Sequence, residues 1–389
     1  MELSAGVWCF VLSLLALNAL LCTFSPWRHT TMPVLHTDNH TCCSCNTKTS
    51  KISTKLWNRE VNYTSIASAQ PSLDPQYRTT TLTRLGSDLK FDVSSCPADS
   101  VMRSVSPTFA PLHLDCPTLF IVGARKAGTS SLYHYVSKHP DFEGTRLDRG
   151  PKVGETFYFS SQYDKPWEEF RRSFPSDGVM TGESSVGNLV SCEAPQRIFN
   201  SCGKQAKIVM LFRNPVDRFV SNFLMRVQLG SARMSNTTAI ATVLKLHLDQ
   251  FFDNILKNQV DITNLPNQWP LLRCRFEPAN NLLYEGLYYA HLMNWLCNFP
   301  SENILIINSE EFYSKPSVIL DQVFQFLGLK RLEEETYHWI TSSVYNRGRN
   351  NTSEFQTLSY LDRKKLVGVY RAMNEELFSI LDWNNVDWQ

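Results

Sequence analysis

The stretch TLFIVGARKAGTSSLYHYV, residues 118–136, constrains the fold more than any other part of the sequence. An apolar run ends in a glycine-containing turn and continues as a helix-like segment, 129–138. Two more apolar runs, AKIVMLFR and NILIINS, are followed by helix-like segments at 215–227 and 316–327. Apolar runs of this kind are typical of parallel strands that are buried on both faces. The sequence therefore predicts an α/β fold with a P-loop-like, doubly wound parallel sheet flanked by helices.

Cations follow the first two of these strands. Arg125 and Lys126 follow the first strand, and Arg213 ends the second. Ligands of doubly wound sheets bind beyond the carboxyl ends of the strands, so we expect two anion sites on one edge. The segment GARKAGTS matches the phosphate loop G-x-x-x-x-G-K-[ST] except that Thr129 replaces the Lys. A Lys three positions earlier reaches a different oxygen, which makes a luminal ATP-dependent kinase the weaker interpretation.

The residue types around these cations also suit a phosphate. Gly128 allows the backbone to come close, and the helix N–H groups from Thr129 onward can donate to an anion. Further along the chain, Arg213 and Ser221 can face one phosphate, the first through charge-assisted hydrogen bonds and the second through its hydroxyl. The alternative is a surface ion pair between Arg213 and Asp217, with Ser221 directed to solvent.

The chain divides into four segments. Residues 7–24 carry no charge and are long enough to cross a bilayer as a helix. We expect a signal anchor there, behind a short cytoplasmic tail at 1–6, with a cleaved signal peptide as the alternative. Residues 25–110 are rich in Ser, Thr, Asp, Asn and Pro and are predicted to be a luminal stem. A globular domain is expected at 111–389, closed by an amphipathic helix within 358–383.

Glycosylation sequons and cysteines agree with a luminal location. The sequons lie at Asn39, Asn62, Asn236, Asn350 and Asn351. The chain has 11 cysteines, which is many for a cytosolic enzyme. Cys192 and Cys202 are close enough in sequence for a local disulfide.

The segment TCCSCN, with Cys42, Cys43 and Cys45, lacks the paired spacing of a zinc site. Interchain disulfides that link a homodimer through the stem are the favoured interpretation. The Cys and His residues of the chain form no ligand set, so no metal is expected. The net charge of +1 provides no overall field for a polyanion, and no nucleic-acid partner is predicted.

Three ordered motifs resemble the Golgi carbohydrate sulfotransferases. They are RKAGTSSL, LFRNPVDRFVSNF and GLYYAHLMNWLCNFPSENILIINSEEF. The resemblance covers about 118–385 and is greatest to the heparan sulfate 3-O- and N-sulfotransferases and to the chondroitin N-acetylgalactosamine 4-sulfate 6-O-sulfotransferase. It implies that 111–389 is a sulfotransferase domain of a single-pass type II Golgi membrane protein. It also implies that 3'-phosphoadenosine 5'-phosphosulfate (PAPS) is the sulfuryl donor and that no metal is required.

The resemblance implies roles for individual residues. The first loop would hold the 5'-phosphosulfate, and Arg213 and Ser221 would hold the 3'-phosphate. Lys126 would be catalytic, because it would neutralise charge on the oxygen that leaves the sulfur. The late segment YNRGRNN resembles the family's loop that closes over the donor. The implied donor-binding residues are Arg125, Lys126, Ala127, Gly128, Thr129, Ser130, Ser131, Arg213, Ser221, Gly348 and Arg349.

Sulfuryl transfer also needs a base for the proton of the attacking hydroxyl. Glu155, in GETFYF, resembles the family's base, which is a Glu followed by an aromatic pair. The alternative is a glutamate at the rim of the site that pairs with Lys152. Glu183, in MTGESS, is a second candidate for the base. His134 and His139 are interpreted as packing or surface residues.

The expected acceptor is a glycosaminoglycan. Ser184 stands where the heparan sulfate group uses a Lys, Ser130 where the 3-O-sulfotransferases have an Arg, and Phe157 where a His is common. These departures favour an acceptor of the chondroitin or dermatan type, with heparan sulfate as the alternative. The missing Lys also leaves open a donor- or glycan-binding relative with weakened catalysis.

Overall fold

The computed structural model describes residues 82–84, 92–98, 100, 112–113, 115–145, 154–175, 178–230, 239–275, 281–342, 345 and 357–388. The predicted tail and signal anchor, the five sequons and the cysteines at 42–45 lie outside these ranges. Within them, no helix combines the length and the apolar character that crossing a membrane requires. The compact unit that contains the sheet is Thr80–Gln389.

Six strands form one sheet in the described part of the chain. They are β1 (Leu82–Arg84), β2 (Leu119–Gly123), β3 (Phe142–Glu143), β4 (Met180–Glu183), β5 (Lys207–Phe212) and β6 (Ile304–Asn308). Their order is β1-β6-β5-β2-β4-β3, and every neighbouring pair is parallel except β1 and β6. The predicted parallel α/β sheet is confirmed, and β2, β5 and β6 are its three predicted strands.

The direction of winding changes at β2. From β2 the chain forms β3 and β4 on one side, and then crosses to form β5 and β6 on the other side. Every residue of β2 and of β6 is buried, as expected for strands with helices on both faces. In such sheets the crevice at the carboxyl end of the first strand is the usual ligand site.

The helices in the described ranges connect and cover these strands. They are α1 (Thr129–Val136), α2 (Tyr158–Ser161), α3 (Trp167–Arg171), α4 (Ala194–Cys202), α5 (Pro215–Gln228), α6 (Ile240–Lys257), α7 (Trp269–Arg275), α8 (Tyr288–Leu296), α9 (Ser309–Ser314), α10 (Pro316–Leu327), α11 (Glu334–Thr341) and α12 (Tyr360–Leu381). The helix predicted at 316–327 has the bounds of α10. The helices predicted at 129–138 and 215–227 differ from α1 and α5 only at their last residues.

Two helices begin directly at the carboxyl ends of strands because an Asn caps each of them. The side chain of Asn214, after β5, accepts hydrogen bonds from Val216 N–H (2.9 Å) and Asp217 N–H (3.4 Å) at the start of α5. Pro215 occupies the first turn of α5, where no intrahelical N–H bond is lost. Asn308, the last residue of β6, caps α9 in the same way. The capped helix starts therefore lie on the same edge as the loop after β2.

Two segments of the predicted stem belong to the folded unit. β1 pairs with β6 in antiparallel register, with Leu82 opposite Ile307. Cys96 forms a disulfide with Cys297, which lies 201 residues later. The predicted boundary at residue 110 differs from the structure at these segments. A three-residue edge strand and a single cysteine leave no apolar periodicity that would reveal them in the sequence.

The predicted disulfide between Cys192 and Cys202 is wrong. Cys202, at the end of α4, is bonded to Cys116, 86 residues away in sequence. Cys192 is also disulfide-bonded. Cys116 lies just before β2, so its disulfide joins α4 to the segment that enters the centre of the sheet. Spatial proximity set by the sheet, rather than proximity in sequence, decides the pairing.

The predicted closing helix is confirmed as α12. Its buried face has helical spacing and consists of Leu366, Tyr370, Met373, Asn374, Leu377 and Leu381. The hydroxyl of Tyr370 donates to the Leu283 carbonyl at 2.9 Å. This bond joins α12 to the segment that precedes α8.

Candidate active site

The loop between β2 and α1 has the backbone shape of an anion-binding site. Lys126 and Gly128 both lie in the left-handed region, with φ of 70° and 100°. The N–H of Ala127 donates to the carbonyl of Ala124 (3.1 Å), which closes the turn. Gly128 is the N-cap of α1 and has no side chain to bond the first N–H groups of the helix. Those N–H groups are therefore available to an anion. The side chains of Ala127 and Thr129 are buried, so these two residues would contact an anion through their backbone.

Gly128 is favoured by its φ angle, and its surroundings leave little room for a side chain. A Cβ at this position would lie 3.1 Å from the ring of Tyr313 and 3.2 Å from that of Phe312. Both rings belong to α9. The hydroxyl of Ser309, the first residue of α9, donates to the carbonyl of Ala127 at 2.8 Å. The loop after β2 is thus held in shape by the helix that follows β6.

The two cationic strand ends predicted from the sequence lie together. Nη1 of Arg213 donates to the carbonyl of Lys126 at 3.1 Å. Burial, followed by the charges of Arg213 and Arg125, holds the pKa of the Lys126 ammonium below its ordinary value. Like charges crowded at the end of a buried sheet disfavour one another, and an anion bound between them would remove this repulsion.

Two of the predicted donor-binding serines, Ser130 on α1 and Ser221 on α5, are partly exposed. The alternative for this region was an ion pair between Arg213 and Asp217. Asp217 instead accepts from Nη1 of Arg363, on α12, at 2.9 Å. The proposed Arg213–Asp217 pair is therefore wrong, and the Arg213 guanidinium lies against the loop.

A buried carboxylate beside the loop was not anticipated from the sequence. Oε2 of Glu285 accepts from Nη1 of Arg218 (2.9 Å) and from Nδ2 of Asn222 (2.8 Å), both on α5. Oε1 of Glu285 lies 3.8 Å from Nε of Arg125 and 3.8 Å from Nη2 of Arg226. One carboxylate thus faces three guanidinium groups, which leaves an excess of positive charge next to the loop. Arg218 and Glu285 are 67 residues apart, so no local pattern reveals this pairing.

Polar atoms around this cluster are incompletely bonded. Among the described residues, no hydrogen-bond partner is found for Nε of Arg125, Nε of Arg218, Oδ1 of Asn222 or Nδ1 of His247. Burial, followed by the charge of Arg226, lowers the pKa of His247 to about 4, so its ring is neutral at physiological pH. The surplus of positive charge beside the loop fits a ligand that carries phosphate or sulfate groups.

A short turn before α2 carries Glu155, which is partly exposed. The turn is left-handed at both ends, with φ of 81° at Gly154 and 55° at Phe157. The N–H of Ser184 donates to the Gly154 carbonyl (2.8 Å), and the hydroxyl of Ser185 accepts from the N–H of Phe157 (2.8 Å). Both serines follow β4, the neighbour of β2 in the sheet. Glu155 therefore lies at the same edge of the sheet as the loop, while Lys152 lies outside the described residues.

Glu183, the second candidate base, is completely buried. Its carboxylate accepts from the hydroxyls of Thr156 and Ser185 and from the amide of Asn188, each at 2.6 Å. Burial raises the pKa of Glu183 to about 7, against the lowering effect of these hydrogen bonds. A carboxylate that is buried and bonded in this way cannot take a proton directly from a substrate hydroxyl. The structure thus separates the two candidates: Glu183 is buried, whereas Glu155 is partly exposed.

The start of the late segment YNRGRNN lies against α1. The hydroxyl of Ser131 donates to the carbonyl of Tyr345 at 2.8 Å. The ring of His134 stacks on that of Tyr345, with centroids 4.2 Å apart and planes 9° from parallel. Gly348 and Arg349, the predicted donor-binding residues of this segment, lie outside the described residues. The Ser131 hydroxyl thus already donates a hydrogen bond within the protein, to the Tyr345 carbonyl.

The remaining histidine considered from the sequence, His139, is used in packing. Its Nε2 lies 2.9 Å from the Lys330 carbonyl, and its Nδ1 accepts from the N–H of Asp141 at 3.0 Å. In the part of the chain that the structure describes, no group of three or more His, Cys, Asp and Glu side chains could hold a metal ion.

An α/β sheet with an anion-binding loop at its switch point defines a class of phosphate-binding domains. Comparison with known proteins is more specific, because the family model described as sulfotransferase domain matches residues 117–376. The match covers more than half of the 389-residue chain. The chain belongs to the sulfotransferase domain family, and the resemblance found in its motifs is confirmed.

Individual relatives are more distant. Human heparan sulfate glucosamine 3-O-sulfotransferase 3A1 is 27% identical over 253 residues, which cover 63% of this chain and 54% of that protein. The Caenorhabditis briggsae bifunctional heparan sulfate N-deacetylase/N-sulfotransferase 1 is 23% identical over 296 residues, 72% of this chain and 32% of that protein. The chain thus spans about half the length, or less, of these curated relatives. The solved structure of a sulfotransferase from Alicyclobacillus acidocaldarius has a TM-score of 0.47 and 23% identity, covering 69% of this chain and 96% of that one.

Proposed function

We propose that this protein transfers the sulfuryl group of PAPS to a hydroxyl of a glycosaminoglycan. The observation that carries the proposal is the 3.1 Å contact between Arg213 and the Lys126 carbonyl. It joins two strand ends whose cations suit the two separate anionic groups of PAPS. The partly exposed guanidinium of Arg125 adds positive charge at the same place. Membership of the sulfotransferase family supports PAPS as the donor.

The donor would lie across the carboxyl ends of β2 and β5. The loop residues 125–131 would bind the 5'-phosphosulfate through backbone N–H groups and cations. Arg213 and Ser221 would bind the 3'-phosphate. Gly348 and Arg349 would close over the donor, as the resemblance of YNRGRNN to the family's donor loop implies.

The reaction follows from this arrangement. The acceptor oxygen attacks the sulfur in line, and the bond from sulfur to the 5'-phosphate oxygen breaks. The Glu155 carboxylate takes the proton of the attacking hydroxyl. Lys126 neutralises the negative charge that develops on the leaving oxygen. The products are the sulfated sugar and adenosine 3',5'-bisphosphate.

A transfer assay tests these roles directly. The purified protein should move labelled sulfate from PAPS to at least one member of a panel of sulfated and unsulfated chondroitin, dermatan and heparan acceptors. Lys126→Ala and Glu155→Gln should each lower kcat by about 100-fold or more, because each removes a group that acts in the transition state. Lys138→Ala, at an exposed lysine just after α1, is the matched control and should retain the wild-type rate. Undiminished transfer by either of the first two variants would show that its role is assigned wrongly.

Two acceptor classes are supported by different observations. The departures at Ser184, Ser130 and Phe157 favour chondroitin or dermatan, as does the burial of Ser184 where the heparan sulfate group uses a Lys. The names of the curated relatives favour heparan sulfate. Disaccharide analysis of glycosaminoglycans from cells with and without the gene separates the two. The class whose sulfated disaccharides disappear in the deficient cells is the acceptor.

A relative that binds donor or glycan without efficient catalysis is the second candidate. The absence of the family's Lys at Ser184 is the observation that favours it. Calorimetry with adenosine 3',5'-bisphosphate, followed by the transfer assay, distinguishes the two. Binding without turnover on the whole acceptor panel would support this candidate and exclude an active transferase.

We also propose that the protein is a type II Golgi membrane protein with its sulfotransferase domain in the lumen. The uncharged segment at 7–24 and the five sequons support this topology. Protease protection of the domain in sealed Golgi vesicles tests it, and digestion from the cytoplasmic side would contradict it. A dimer linked through Cys42, Cys43 and Cys45 stays a prediction, which electrophoresis without reductant can test.

A further inference from the structure

The buried carboxylate of Glu183 lies directly behind the turn that carries Glu155. We propose that Glu183 is a positioning residue that fixes the backbone of this turn and so orients Glu155 toward the donor. The inference rests on the proposed function, since it assumes that Glu155 is the base. It assigns Glu183 a role through Glu155 and no contact with substrate.

The first support is the bond from Glu183 to the residue that follows Glu155. The hydroxyl of Thr156 donates to Oε2 of Glu183 at 2.6 Å, and it accepts from the N–H of Tyr158 at 3.3 Å. The side chain of Thr156 is thus held between Glu183 and the start of α2. Glu183 therefore anchors the residue next to Glu155 and limits the direction in which the Glu155 side chain departs.

The second support is a bond that passes through Ser185. Its hydroxyl donates to Glu183 (2.6 Å) and accepts from the N–H of Phe157 (2.8 Å). Phe157 has a φ of 55°, a conformation that costs a residue with a side chain about 1 kcal/mol or more. Such a conformation persists only where neighbouring groups hold it. Ser185, which is itself bonded to Glu183, provides such a group for the N–H of Phe157.

The third support is the position of Glu183 in the sheet. Glu183 is the last residue of β4, and it lies opposite Phe120 in the parallel pairing with β2. The donor loop follows directly after β2, which ends at Gly123. Glu183 thus connects the turn of the proposed base to the strand that positions the donor loop. In-line transfer requires the base and the donor to be held in a fixed position relative to each other, because a misplacement of about 1 Å can lower a rate by about 100-fold.

A double-mutant cycle between Glu183→Gln and Glu155→Gln tests the inference on the full-length protein. Gln has the size of Glu, but its NH2 group is a hydrogen-bond donor and cannot accept the bonds that a carboxylate oxygen of Glu183 accepts. Glu183→Gln alone should lower kcat by about 10- to 100-fold. The affinity for adenosine 3',5'-bisphosphate should be unchanged, because the donor loop is intact. In the Glu155→Gln background, Glu183→Gln should cause no further loss, since a residue that acts only through the base has nothing left to orient.

Thr156 provides the conservative comparison. Thr156→Ser keeps the hydroxyl and should retain the wild-type kcat, whereas Thr156→Val loses it and should lower kcat. Glu375→Gln, at an exposed position of α12, is the matched control for removing a carboxylate. If Glu183→Gln does not fold, Thr156→Val and Ser185→Ala take its place in the cycle, because each removes one hydroxyl that donates to Glu183 and leaves the carboxyl in place.

The outcomes separate this inference from the proposed function. A normal kcat in Glu183→Gln, or equal losses in both backgrounds, overturns the positioning role and leaves the function standing. A fall in thermal stability with unchanged kcat means that the network is only structural, which also overturns it. Failure of the wild-type protein to bind adenosine 3',5'-bisphosphate or to transfer sulfate removes the proposed function itself. Full activity of Glu155→Gln removes the base and this inference with it.

Discussion

Replacing Glu183 by Gln should remove a pH dependence of stability that this buried carboxyl causes. Burial raises the pKa of Glu183 from 4.5 to about 7 in the folded protein. Because the folded pKa lies above the unfolded one, the neutral form is the one that favours folding. Its contribution is fully present below pH 4.5 and is lost as the pH rises to about 7. The difference of about 2.5 pH units corresponds to about 3 kcal/mol.

The assay is urea unfolding of the wild-type and Glu183→Gln proteins, with disulfides intact, at about pH 5 and about pH 8. The buried Trp295 and Trp383 provide a fluorescence signal for the folded core. Between these pH values the wild-type protein should lose about 2.5 kcal/mol of unfolding free energy relative to the variant, because part of the contribution is already lost at about pH 5. The absolute stability of the variant does not matter, because only the change with pH is compared.

Other buried groups cancel in this comparison. Burial lowers the pKa values of His247 and His291 to about 4, and both proteins share these residues. Identical pH dependence in the two proteins would refute the assigned pKa shift. A difference of opposite sign would show that the hydrogen bonds from Thr156, Ser185 and Asn188 outweigh burial and keep Glu183 charged in the acid range.

Three further predictions concern the loop, the disulfide and the closing helix. Arg213→Ala should weaken binding of adenosine 3',5'-bisphosphate in calorimetry by about 10- to 100-fold, the value of a hydrogen bond to a charged group; unchanged affinity would remove Arg213 from the donor site. Replacing both Cys96 and Cys297 by Ser should lower the unfolding free energy in urea by about 2 to 5 kcal/mol, because the bond closes a loop of 201 residues; an unchanged midpoint would contradict this. Gly286→Ala should destabilise by about 1 to 3 kcal/mol in the same assay, since its Cβ would lie 2.8 Å from the Tyr370 ring; a neutral effect would mean that α12 moves aside at no cost.

The centre of the fold could be predicted from local sequence. β2, β5 and β6 are continuous apolar runs, because a parallel strand covered on both faces is apolar at every position. The helices after them start at capped or proline-containing turns, which local residue types also reveal. The carboxyl ends of parallel strands lie on one edge, and for this reason Arg213 could be placed near Lys126 before the structure was known.

The sequence did not reveal the short strands or the pairings between distant residues. β4, with the sequence MTGE, is too short and too polar to show a strand pattern. The disulfide of Cys202 was misassigned, because distance along the chain says little about distance across a sheet. The buried pair of Arg218 and Glu285 was missed for the same reason.

The residue types alone thus predicted the class of fold and the loop that suits an anion, and the resemblance to the family suggested two candidate carboxylates for the base. Only the tertiary structure decided which of two glutamates can meet a substrate. Glu155 lies in a partly exposed turn, whereas Glu183 is buried and bonded to donors from two separate segments. The two carboxyls are chemically identical in the sequence. Their solvation and hydrogen-bond partners, which set their pKa values and their roles, exist only after the sheet has brought those segments together.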